Sequence, residues 1–126
     1  MSPEHHKILS LIASTIFADG RVYESEIQAF AKATAQLKLL RNAKPKLTEA
    51  RILKWFEKNR DEIRQKVRAP YFKDWFYDLL NSLSDVDEKE LIVEIMHKIS
   101  RADGSVHVSE RALFTLAKRH WFPSGV

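Results

Sequence analysis

The chain has 126 residues, a mass of 14.7 kDa and a formal net charge of +4. That is one domain's worth of protein, able to bury ~65% of the surface its unfolded form would expose. Its 44% hydrophobic and 30% charged residues argue against disorder, and with no cysteine this chain holds no disulfide, thiolate zinc site, iron–sulfur cluster or cysteine nucleophile.

Apolar residues recur at helical spacing almost throughout, and no hairpin signal separates two β-type runs. A first helix is predicted over about 3–18, with Ile8, Leu11, Ile12 and Ile16 on one face. It stops at Asp19-Gly20, where glycine can take a left-handed cap. A second helix, about 24–40, carries Ile27, Phe30, Ala31, Thr34 and Leu37. After a basic loop with Pro45, Thr48 caps a third helix to about residue 68, striped by Ile52, Phe56, Ile63 and Val67. Pro70 suits the first turn of a fourth helix, whose stripe is Tyr71, Phe72, Trp75, Phe76, Leu79 and Leu83. A fifth helix opens at Ser84 or Asp85 and runs to about residue 102, where Asp103-Gly104 ends it. A sixth covers about 109–121, with Leu113, Leu116 and Ala117 inward. The expected fold is all-α: a single compact bundle of six or more helices over residues 1–126.

Residues 18–26 read Ala-Asp-Gly-Arg-Val-Tyr-Glu-Ser-Glu, and residues 102–110 read Ala-Asp-Gly-Ser-Val-His-Val-Ser-Glu. Six of the nine positions are identical at an offset of 84. Outward, Ile8, Phe30 and Ala33 match Ile92, Phe114 and Ala117. Two helix–loop–helix units, about 8–37 and 92–121, therefore share one design, with a helical insert at about 48–83. A pseudo-twofold between the two hairpins is the simplest arrangement.

The repeated motif admits two readings. Asp-Gly followed by Glu resembles the second half of a calcium-binding EF-hand loop, but the first ligand positions would be Thr15 and Phe17, or Ile99 and Arg101. A standard EF-hand is rejected. Turn chemistry is the plainer reading: Asp bonds the turn amides, Gly takes the positive φ, and Glu26 or Glu110 reaches back to the helix start as half of a capping box. The Ser or Thr that would complete the box is Tyr23 or His107.

A helix ending in Ala-Asp-Gly, a branched apolar residue, then Glu four residues on, present twice, resembles the TerB-like tellurite-resistance family. The resemblance covers roughly residues 8–37 and 84–121. It implies a compact bacterial helical domain of stress responses, not an enzyme, in which paired acidic residues bind a divalent metal ion. Carried over, these are Asp19 and Glu26, and Asp103 and Glu110. Such hard oxygen donors suit Mg²⁺, Ca²⁺ or Mn²⁺. The sequence departs from the family at Tyr23 and His107, where small polar or acidic residues are commoner, and in its basic middle. His107 is a further candidate ligand.

That middle, residues 38–68, holds eleven bases against four acids. On a helical wheel Arg51, Lys54, Lys58, Lys66 and Arg68 fall opposite the apolar stripe, as on any solvated helix. The functional alternative is a polyanion or nucleic-acid surface, with Trp55 on its polar side and Lys54 and Lys58 beside it. Trp55, Trp121 and Phe122 look exposed, which leaves monomer and homodimer both open, the alternative for Trp121 and Phe122 at the chain end being that they simply cover the core. His5 and His6 are adventitious chelators at most, His97 sits at the edge of a polar face, and His120 is expected in the core.

No Gly-rich phosphate loop, nucleophile elbow or His-Glu-x-x-His is present. No apolar run approaches the ~20 residues of a membrane span, and no basic stretch followed by an apolar one opens the chain. The expectation is a non-enzymatic cytoplasmic module that binds divalent metal through its two Asp-Gly loops and contacts other proteins, with polyanion binding by residues 38–68 as the alternative.

Overall fold

A computed structural model describes residues 1–18, 21–102 and 108–124, and for residues 108–111 the backbone alone. Its helices are α1 (Pro3–Phe17), α2 (Glu24–Thr34), α3 (Lys38–Arg41), α4 (Glu49–Arg68), α5 (Phe72–Ser82), α6 (Lys89–Ser100) and α7 (Val108–Trp121). Every regular element among the described residues is helical, and none is long and apolar enough to cross a membrane.

α1 is the hub. Ser2 caps it through a hydrogen bond from His5 N, with Pro3 at the first position. The sequence suggests one apolar face, but all residues from Ile8 to Phe17 are buried. The reason is that α1 is wrapped on several sides, by α2, α4, α5, α6 and α7. A helix without a charge between Lys7 and its end can accept that enclosure. Of its buried hydroxyls, Ser14 Oγ donates to Leu11 O at 2.6 Å, while Thr15 Oγ1 has no partner among the described residues.

The hairpin α1–α2 packs on the hairpin α6–α7 through α1 with α6 and α7, and α2 with α6. α4 lies across α1 and α2. There Phe17 stacks on Phe56 with centroids 5.7 Å apart, and Phe30 meets Phe56 at 5.8 Å and Trp55 at 6.3 Å. The Arg60 guanidinium covers the Phe56 ring at 5.3 Å.

Three predicted elements differ. The second helix does not run to residue 40: Leu37 is extended and the chain turns before α3. The turn sinks both Leu37 and Leu40 into the core, and the Lys38 amide it frees donates to the Glu88 carboxylate. α6 begins at Lys89 instead of residue 84 or 85, because residues 84–88 form turns, with Lys89 Nζ reaching Ser84 O at 2.8 Å. Tyr71 leaves the predicted core stripe; it precedes α5, is 52% exposed and lies over Lys66.

At the chain end Trp121 and Phe122 lie against the core, as one of the two readings of the sequence expects. Trp121 is buried and its Nε1 donates to Leu80 O at 2.9 Å, while Phe122 is half-buried. His120 is exposed, not core, and shares a 2.7 Å hydrogen bond with Asn81 Oδ1. Trp121 takes the inward position because an indole buries more apolar area than an imidazole and its N–H finds a carbonyl there.

Candidate functional site

Two regions collect the candidate residues. The first is made by the helix ends that flank the repeated motif in sequence. The Lys38–Glu88 hydrogen bond ties the chain just after α2 to the residue just before α6. Since α2 and α6 pack together, they run antiparallel. The start of α2 and the end of α6 therefore lie toward the same end of the pair. These are the helix ends that follow the first Asp-Gly motif and precede the second.

Of the motif's candidate ligands, Asp19, Asp103 and His107 lie outside the described residues, and so does the Glu110 side chain. Glu26 is described. It is fully buried at the N3 position of α2, and its Oε1 accepts from Tyr23 N at 3.3 Å. The Glu half of the capping box is therefore formed, as the turn reading expects. A carboxylate offers about four lone-pair sites, more than the bond to Tyr23 N uses. Among the described residues no three His, Asp or Glu side chains form a group that could hold a metal ion.

The second region is a cleft of about 790 Å³ between the first turn of α1, the loop from Ala43 to Leu47, and α4. The peptide bond before Pro45 in that loop is cis. α4 contributes one stripe at three- and four-residue steps: Arg51, Lys54, Trp55 and Lys58. α1 adds His5, His6 and Lys7, and the loop adds Lys44. The structure thus brings together the three interaction residues expected from sequence.

Trp55 itself is corrected. It is 7% exposed, not a solvent-facing aromatic. α4 is covered by two helices at this level, so its buried arc is wider than a single apolar stripe and takes in Trp55 beside Phe56. The indole Nε1 donates to His6 Nδ1 at 3.1 Å. His6 must accept there, which puts the proton of the neutral ring on Nε2. Sequence reasoning set His6 aside as an adventitious chelator and missed Lys7 and Lys44 as cleft residues. Nothing local pairs the first turn of α1 with a helix 49 residues later.

The family model for tellurite resistance protein TerB matches residues 5–119. The chain belongs to the TerB family. That membership agrees with an all-helical module and spans both Asp-Gly motifs, the basic α4 and most of the cleft. No curated protein and no solved structure matches the chain.

Proposed function

We propose that this TerB-family chain is a non-enzymatic module of bacterial stress responses that takes a divalent cation at its paired Asp-Gly motifs and works through contacts with other proteins. The antiparallel run of α2 and α6 carries the reading, because it directs the helix ends flanking both motifs to one end of the pair. Asp19, Glu26, Asp103 and Glu110 would supply hard oxygen ligands suited to Mg²⁺, Ca²⁺ or Mn²⁺. Carboxylates gathered there repel one another, and a cation would relieve that repulsion.

Thermal unfolding of EDTA-stripped protein with each ion tests it, alongside Asp19→Asn and Asp103→Asn. A ligand at about 100 times its dissociation constant adds ~2.7 kcal/mol. For a chain of this size the midpoint would rise by roughly 8–16 °C. The rise should vanish in both variants. No rise with any ion returns the motif to turn and capping chemistry.

A second reading, polyanion binding by residues 38–68, has one observation of its own. Lys54 and Lys58 share their cleft with three further lysine or arginine side chains and no carboxylate.

A further inference from the structure

We infer that the cleft between the first turn of α1 and α4 is a binding site for a small molecule carrying two or more linked phosphate groups. The inference deepens the polyanion reading by naming a ligand class, and it is independent of the cation site.

The charge arrangement is the first ground. Lys7, Lys44, Arg51, Lys54 and Lys58 line the cleft, and no Asp or Glu does. Among the described residues none of these five side chains is paired with a carboxylate. The next bases along α4 behave differently. Arg60 pairs with Glu57 at 3.0 Å and Arg64 with Asp61 at 2.9 Å. Arg51, Lys54 and Lys58 thus turn uncompensated charge toward a cavity, whereas Arg60 and Arg64 are each paired with an acid of their own helix. Five like charges around one cavity repel, and an anion converts that repulsion into attraction. The N-terminus of α1 opens on the same cleft, so its positive dipole end adds to the field.

Size is the second ground. About 790 Å³ lies within the ~300–1,000 Å³ of small-molecule sites. Arg51, Lys54 and Lys58 span roughly 10 Å of helix at 1.5 Å per residue. That suits two or three linked phosphates, with the Arg51 guanidinium able to grip one of them through two parallel hydrogen bonds. The basic track does not continue to Arg60 and Arg64, as a long strand of nucleic acid would require. Trp55, Leu47 and Pro45 supply an apolar flank for the organic body of the ligand.

Calorimetric titration of the full chain with ATP, inorganic pyrophosphate, inorganic phosphate and a single-stranded oligothymidylate, at constant ionic strength and without divalent ions, tests the inference. ATP and pyrophosphate should bind, and inorganic phosphate should bind much more weakly. Lys54→Ala with Lys58→Ala should weaken ATP at least about tenfold, a loss of ~1.4 kcal/mol. Both side chains are exposed, so the fold should survive; Lys44→Ala, in the loop, is a second variant expected to weaken binding. Arg60→Ala with Arg64→Ala removes the same charge from the same helix outside the cleft and should leave ATP affinity within about twofold, the scale of screened surface charge. Equal loss in the two double variants would overturn the site in favour of diffuse charge. Absence of binding by ATP and pyrophosphate would overturn it as well. If the oligonucleotide alone bound, the small-ligand inference would fall while the polyanion reading stood.

Discussion

Trp55 and His6 are joined across 49 residues of sequence: the indole Nε1 donates to the imidazole Nδ1 at 3.1 Å, and the rings meet edge-on with centroids 5.5 Å apart. This contact fastens the first turn of α1 to the middle of α4 and so shapes one wall of the basic cleft. His6→Ala would leave the indole N–H of a buried tryptophan without its acceptor. The expected cost is about 1–2 kcal/mol, because an orphaned buried donor forfeits its solvation. Trp55→Phe removes the donor along with the bond, so adding His6→Ala to it should cost less than His6→Ala alone. Denaturant unfolding of the four proteins closes the cycle. Strict additivity would show that the bond contributes nothing.

The start of α4 rests on Thr48, whose Oγ1 accepts from Arg51 N at 3.3 Å. Thr48→Ala should cost ~1 kcal/mol, and Thr48→Ser or Thr48→Asp should retain most of that. Near the midpoint this is roughly 3–6 °C in Tm. An unchanged midpoint for Thr48→Ala would mean that α4 is held by its buried face alone.

Glu26 separates capping from ligation. Its Oε1 accepts from Tyr23 N in a fully buried position. Glu26→Gln keeps an amide oxygen for that bond and loses the charge; Glu26→Ala loses both. In EDTA, the alanine variant should be less stable than the glutamine variant by about 1–2 kcal/mol. On adding the stabilising cation, the glutamine variant should show no rise in midpoint. A full cation-induced rise in Glu26→Gln would remove Glu26 from the ligand set and leave it a capping residue only.

What could be read from sequence divides along the range of the forces involved. The α4 start was legible because Thr48 and Arg51 are three residues apart. Glu26 was legible as a helix-start residue for the same reason. The end of α2 was not, because the Lys38 amide finds its partner at Glu88, fifty residues on, and no proline or glycine marks the turn. Lys54 and Lys58 were visible as bases, but a helical wheel shows one helix and not the neighbours that enclose it. Enclosure buried Trp55 and turned a basic face into a cleft wall. The family motif was legible as a repeat of six identities in nine, although most of its candidate ligands fall outside the described residues.

The aromatic residues give the sharpest contrast between pattern and packing. Phe56 and Tyr71 both fall on apolar stripes of the sequence. Phe56 is fully buried between Phe17 and Phe30, with Arg60 over its ring. Tyr71 is 52% exposed and touches Lys66. Phe56→Ala should therefore cost about 3–5 kcal/mol, through lost transfer energy and a cavity that its two aromatic neighbours cannot easily fill. Phe56→Leu should cost clearly less, since it keeps most of the volume. Tyr71→Ala should stay within about 0.5 kcal/mol, the range of exposed positions, apart from a weak cation–π term. Urea unfolding at one temperature compares all three. Similar losses for Phe56→Ala and Tyr71→Ala would mean that Tyr71 is covered in solution, and the apolar stripe of the sequence would then describe α5 better than its observed start at Phe72.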